Sequence, residues 1–191
     1  MVFNLPNTLT WLRILAIPLV VVCFLMGVRH PGGGGFPLAG IVFAIASITD
    51  SLDGYLARRL GQTTRLGAFL DPVADKLIVG TALVLIVSRD ARVAVVASGI
   101  VIIGRDIAVS ALREWMAELG HRAKVAVSGL GKYKTILQMV GLSLMLYRHD
   151  LFGVVPVYTP GTWLTATAAV LTLYSMLVYL RSAWPYLTGR A

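Results

Sequence analysis

Six apolar runs, near residues 11–28, 37–57, 66–88, 92–116, 133–147 and 161–183, take up most of the chain, with only short polar breaks between them. A helix crosses the hydrocarbon of a bilayer with about 20 predominantly apolar residues. The expected fold is therefore an all-α integral membrane protein with six transmembrane helices. Composition points the same way, since 57% of the residues are hydrophobic and 14% charged, with mean hydropathy +0.79. Almost nothing remains from which to build an independent soluble unit, and a soluble globular enzyme is excluded. Residues 1–191 are read as a single membrane domain.

The breaks have turn chemistry. His30-Pro31-Gly32-Gly33-Gly34-Gly35 reads as a flexible turn, Arg89-Asp90-Ala91-Arg92 as a tight polar link, and Thr159-Pro160-Gly161 as a breaker ahead of the last run. Asn4 to Trp11 reads as a short N-terminal interfacial segment, with Trp11 at headgroup level and Asn7 or Thr8 as a helix cap. Residues 1–10 hold no basic side chain and Arg13 falls inside the next apolar stretch, so the segment is expected to be retained rather than cleaved as a signal peptide. Cys23 is alone, which excludes an intramolecular disulfide.

The 17 Lys and Arg against 9 Asp and Glu leave a net charge of +8. In a chain this apolar, that balance suits anionic headgroups and phosphorylated substrates. Twelve basic residues fall on one side of the six runs, from Arg13 through Arg58, Arg59, Arg65 and the 105–134 cluster to Arg181 and Arg190. The other side holds Arg29, Arg89, Arg92 and Arg148. Lys and Arg concentrate in cytoplasmic loops, so both termini are expected on the cytoplasmic side.

Asp50, Asp53, Asp71 and Asp75 fall within 26 residues, inside or bordering two apolar runs. A central aspartate costs about 2.5 to 3.5 kcal/mol on insertion scales, and such residues face a cavity, a partner charge or a metal. On a helix, Asp50, Asp53, Gly54, Ala57 and Arg58 return to one broad face, and Gly67, Asp71 and Asp75 form a similar face on the next span. A hairpin from Arg59 to Arg65 would bring the two faces together. Four converging carboxylates repel unless cations neutralise them, and oxygen-only ligands favour hard ions such as Mg²⁺ or Mn²⁺, two being the natural count. Gly54 and Gly67 allow close backbone approach, and Arg58 can grip a phosphate, so the surface suits a diphosphate. The competing structural reading is a set of ion pairs such as Asp50 or Asp53 with Arg58 and Asp75 with Lys76. Six polar positions in register exceed what packing needs.

Written out, the stretch is Asp50-Ser51-Leu52-Asp53-Gly54-Tyr55-Leu56-Ala57-Arg58, eight residues, then Gly67-Ala68-Phe69-Leu70-Asp71-Pro72-Val73-Ala74-Asp75. It resembles the pattern D-x2-D-G-x2-A-R-x8-G-x3-D-x3-D of the CDP-alcohol phosphatidyltransferase family at all eight fixed positions. The resemblance implies a six-helix membrane fold, usually homodimeric, in which a CDP-linked lipid reacts with an alcohol and CMP leaves. It also implies that Asp50, Asp53 and Asp71 hold metal, and that Asp75 is the general base and a further metal contact. Gly54, Ala57, Arg58 and Gly67 would line the CDP-lipid site.

A second cluster, Arg105, Arg113, Arg122, Lys124, Lys132 and Lys134, gathers at the cytoplasmic ends of the fourth and fifth runs. Arg105 and Arg113 share a helical face, and Ser128-Gly129-Leu130-Gly131 reads as a turn opening a helix at Lys132. Helix N-termini favour anions, so Arg105, Arg113, Lys132 and Lys134 are read as the site for a phosphate on the acceptor. Loop cations also serve orientation and headgroup contact, which competes most strongly for Arg122 and Lys124. Asp106, Glu114 and Glu118 are expected to pair with neighbouring bases. Ser110 to Glu118 and Val125 to Thr135 are most similar to those family members whose acceptor is sn-glycerol 3-phosphate. The alternatives are a sibling transferase with another acceptor, such as inositol phosphate, serine or phosphatidylglycerol, and a divalent-cation transporter built on the same carboxylates.

Overall fold

The structure is a computed structural model that describes residues 5–30, 34–60, 65–118 and 130–187, with side chains omitted at 5–9, 52–60, 65–66, 68, 130–132 and 185–187. Six helices follow one another: α1 Leu5–Arg29, α2 Gly35–Leu60, α3 Arg65–Val87, α4 Val93–Glu118, α5 Leu130–Tyr147 and α6 Tyr158–Leu187. Each apolar run lies within one helix, apart from a residue at the margins of the third and fourth. The largest differences are at the ends, where helices outlast their apolar stretches.

Three expectations are corrected. Leu5 to Trp11 are the first turns of α1 rather than a separate interfacial segment. Pro6 falls in the opening turn, where the missing N–H has no intrahelical partner to lose. For the same reason Thr159-Pro160-Gly161 does not break the chain but sits in the first turn of α6. Leu130 and Gly131 are likewise already helical, while Ser128 and Gly129 lie outside the described residues.

Packing is most extensive between α1 and α2, between α5 and α6, and between α2 and α5. Helix α1 lies on α2 and α3, α5 on α2 and α6, and α4 on α6 and α3. Phe24, Phe36, Phe43, Leu83, Ile86, Leu142 and Leu146 meet in the shared core, and Phe24 stands edge-on to Phe36 with centroids 5.1 Å apart. At the α2–α5 crossing a Cβ on Gly40 would lie 2.6 Å from the Tyr147 backbone nitrogen. Glycine there lets two backbones touch, as small residues do between membrane helices.

The outward faces are apolar. Leu15, Ile45, Val84, Ile100, Ile136 and Val170, one from each helix, are all exposed, an outward display of large apolar side chains that marks an interaction or membrane surface. Thr10–Arg29, Val93–Glu118 and Tyr158–Trp184 are each long and apolar enough to cross a bilayer. This is a membrane protein, its lipid-facing side chains taking the place of a polar surface.

At the end of α3 remote from Asp71 and Asp75, the interhelix links lock together. Arg92 donates to both Asp90 carboxylate oxygens, at 2.7 to 3.0 Å, and the Tyr158 hydroxyl donates to Asp90 Oδ2 at 2.6 Å. The Arg92 guanidinium, more than the tyrosine, holds the Asp90 carboxyl well below the usual carboxylate range. Arg148 then lies over the Tyr158 and Phe36 rings, 5.2 and 5.6 Å from their centroids.

Candidate active site

Asp50, Asp53, Gly54, Ala57 and Arg58 lie on the uninterrupted α2, and Gly67, Asp71 and Asp75 on α3, so the helical spacing inferred for both faces holds. The side chains of Asp53, Ala57 and Arg58, and the surroundings of Gly54, lie outside the described residues. Gly67 is buried. Asp50 is within electrostatic reach of Asp71, and Asp75 of Asp50. Three of the four carboxylates thus share one region.

Helix α1 closes over them. Thr10 Oγ1 donates to Asp71 Oδ1 at 2.6 Å, and Arg13 Nη2 pairs with Asp50 Oδ1 at 2.5 Å. Thr10 and Arg13 are each only 2% exposed. Their three-residue spacing puts both on one face of α1. By charge distribution alone Arg13 counts as an orientation charge; the structure makes it the counter-ion of a site aspartate. The signal available was a basic residue within an apolar stretch, one turn after a threonine.

Among the described residues no three carboxylate, imidazole or thiolate groups close into a complete metal-binding set. Asp50 and Asp71 are engaged by Arg13 and Thr10 instead. The donor chemistry nevertheless fits a hard divalent cation, since Asp50, Asp71 and Asp75 offer only oxygen.

Between α3 and α4 a polar cavity of about 200 Å³ is lined by Asp75, Lys76, Arg105, Asp106, Ser110 and Arg113, together with Pro72 and Val109. Asp75 therefore borders both the acidic face and the cavity. Arg105 Nη1 donates to Asp106 Oδ1 at 2.7 Å, the pairing expected for Asp106. Arg105 Nε is buried with no hydrogen-bond partner among the described residues. Lys134 is buried, and among the described residues its ammonium meets no carboxylate at ion-pairing distance, only Ser175 Oγ at 3.1 Å. Buried donors left in this state favour an anion. Arg113 stacks over the Tyr179 ring at 6.0 Å. The structure brings together Arg105, Arg113 and Lys134; the Lys132 side chain lies outside the described residues. Lys132 itself stands in the first turn of α5.

A third feature is an apolar groove of about 410 Å³ between α1 and α2, lined by Leu12, Leu15, Leu19, Val42 and Ile45 and reaching Arg13 and Thr49 beside Asp50.

A family model described as CDP-alcohol phosphatidyltransferase matches residues 3–181. The chain is 48% identical over 183 residues to the CDP-diacylglycerol–glycerol-3-phosphate 3-phosphatidyltransferase of Salmonella choleraesuis strain SC-B67, covering 96% of each chain. It is 46% identical to the proteins of the same name from Haemophilus influenzae, over 96% of this chain and 95% of that one, and from Escherichia coli K12, over 96% of each.

Proposed function

The chain belongs to the CDP-alcohol phosphatidyltransferase family, and from that premise we propose that it transfers the phosphatidyl group of CDP-diacylglycerol to sn-glycerol 3-phosphate, giving phosphatidylglycerophosphate and CMP. The observation that carries this reading is the cavity in which Asp75 shares a wall with Arg105 and Arg113. One small space offers a carboxylate to take a proton and fixed cations to hold a phosphate. A neutral acceptor would leave those cations unexplained.

The acceptor phosphate lies against Arg105, Arg113 and Lys134, with Lys132 beside it at the α5 N-terminus. Its free hydroxyl is thereby aimed at Asp75, which removes the proton as general base. The hydroxyl oxygen forms the new bond to the lipid phosphorus, in line with the breaking bond to CMP. Gly54, Ala57, Arg58 and Gly67 line the nucleotide site beside the acidic residues, and the α1–α2 groove takes acyl chain from the bilayer. Asp50, Asp53, Asp71 and Asp75 would hold two divalent cations, Mg²⁺ or Mn²⁺, which when bound neutralise the diphosphate and stabilise the departing CMP. Arg13 and Thr10 hold Asp50 and Asp71 in place for that task.

The reading includes six membrane-spanning helices in one domain, a homodimer in the bacterial inner membrane, and an active site facing the cytoplasm. The distribution of basic residues supports that orientation. The test is CMP release by detergent-purified protein from CDP-diacylglycerol with Mg²⁺, with and without glycerol 3-phosphate, using inositol phosphate and serine as comparison acceptors. Release that depends on glycerol 3-phosphate is expected. Release with a different acceptor would overturn the assignment of the cationic cavity, and release with none would overturn the transferase reading.

A further inference from the structure

Ser175 sits in the middle of α6, between Tyr174 and Met176, in what reads as ordinary apolar span. Its hydroxyl nonetheless receives both Arg105, which lines the cavity, and Lys134, which lies beside Arg105. Lys134 Nζ donates to Ser175 Oγ at 3.1 Å, and Arg105 Nη2 donates to the same oxygen at 3.4 Å. Ser175 Oγ in turn donates its proton to the Thr172 carbonyl at 3.0 Å. A hydroxyl has one proton and two acceptor sites. With the proton committed to its own helix, both acceptor sites are left for the two cations.

The arrangement joins groups that would otherwise separate. Arg105 and Lys134 come from α4 and α5, which do not pack extensively on each other but both meet α6. Like charges in a buried setting repel more strongly than in water, and a neutral acceptor between them holds their spacing without cancelling either charge. A carboxylate at position 175 would neutralise them and occupy the anion's place. Among the described residues Arg105 Nε stays buried without a hydrogen-bond partner, and Lys134 gives one of its three donors to Ser175 and none to another described side chain. Donors remain available for an incoming phosphate.

We infer that Ser175 is a positioning residue for the acceptor phosphate, setting the Arg105–Lys134 spacing so that both cations engage one phosphate group together. The inference rests on the proposed glycerol 3-phosphate reading of the cavity. It predicts selectivity in which kinetic parameter changes. Ser175 does not line the α1–α2 groove, and among the described residues its hydrogen bonds go to Arg105, Lys134 and its own helix, so its loss acts on acceptor binding and leaves the CDP-lipid side alone.

The test is steady-state CMP release by the full-length protein in detergent, for wild type, Ser175→Ala and Ser175→Thr, varying glycerol 3-phosphate and CDP-diacylglycerol separately. Ser175→Ala is expected to raise the acceptor KM roughly tenfold, as for a lost hydrogen bond to charged groups, with kcat and the CDP-lipid KM within about twofold. Ser175→Thr keeps the hydroxyl and is expected to restore most of the acceptor KM. Inorganic phosphate as a competitor against glycerol 3-phosphate should weaken in parallel in the alanine variant. An unchanged acceptor KM in Ser175→Ala overturns the inference while the transferase reading stands. Equal damage to both substrates' KM values in the alanine and threonine variants also overturns it, by showing a general packing role. Wild-type protein that ignores glycerol 3-phosphate overturns both.

Discussion

Replacing Arg13 with methionine tests whether α1 is bound to the acidic face through its guanidinium. Arg13 is 2% exposed and its Nη2 lies 2.5 Å from Asp50 Oδ1, while the Asp50 side chain keeps 34% of its surface in contact with solvent. Removing one partner of a fully buried pair costs roughly 3 to 5 kcal/mol, because the other charge is left uncompensated. An exposed pair is worth roughly 0 to 1 kcal/mol. With one partner buried and the other a third exposed, water reaches the abandoned carboxylate and the expected loss is about 2 kcal/mol. For a chain of this size that is a fall of roughly 4 to 8 °C in thermal midpoint. The measurement is thermal unfolding in detergent at neutral pH with chelator present, on wild type, Arg13→Met, Asp50→Asn and the double variant. If the pair carries the effect, the arginine substitution costs at least about 1 kcal/mol less once Asp50 is already asparagine. A strictly additive cycle would refute the reasoning, as would an Arg13→Met midpoint equal to wild type.

Asp75→Asn should lower turnover by roughly 10²- to 10⁴-fold as the base is lost, while binding of CDP-diacylglycerol, followed by equilibrium binding in detergent, stays substantial. An equal loss of binding would count against a role confined to proton removal. Lys134→Met or Arg105→Ala should raise the glycerol 3-phosphate KM by about ten- to a hundredfold with a smaller change in kcat, because a charge-assisted contact to a phosphate is worth about 1.5 to 3 kcal/mol. Initial rates at varied acceptor decide it, and a loss confined to kcat would contradict the assignment. At the other end of the bundle, Asp90→Asn removes a carboxylate whose pKa is lowered in the folded state, chiefly by Arg92. Stability from that shift is present above the ordinary carboxylate value of 3.8 and is lost as pH falls through the lowered folded value. The midpoint gap between wild type and Asp90→Asn should therefore hold steady from pH 8 to about 5 and shrink below about pH 4; a gap that widens on acidification would reverse the sign of the argument.

The six helices were legible because apolar periodicity is a local property, readable from neighbours in sequence. Their ends were less so. Pro6 and Pro160 are punctuation in a linear reading, yet both occupy first turns where proline costs no hydrogen bond. The acidic and basic clusters were also visible, since a carboxylate or a group of cations in an apolar setting must have a purpose. What could not be read was partner choice across distance. Thr10 finds Asp71 at a separation of 61 residues, and Lys134 finds Ser175 at 41. Threonine and serine are common in membrane helices, so neither stands out until the fold places an ion beside it. Arg13 shows the same effect: its charge is plain in the sequence, but only the α1–α2 packing reveals that Asp50, rather than the cytoplasmic surface, receives it.

The apolar groove opens between α1 and α2 and reaches Thr49 and Arg13 beside Asp50, whereas the polar cavity opens between α3 and α4, with Asp75 lining it and lying within electrostatic reach of Asp50. A lipid entering along the groove and an acceptor entering by the cavity use separate doors, one open to lipid and one to water, and meet at Asp75. Neither has to leave before the other arrives, so no half-reaction with a parked phosphatidyl group is required. Initial-velocity plots at several fixed concentrations of either reactant should then intersect rather than run parallel, and a large excess of one should not starve the enzyme of the other.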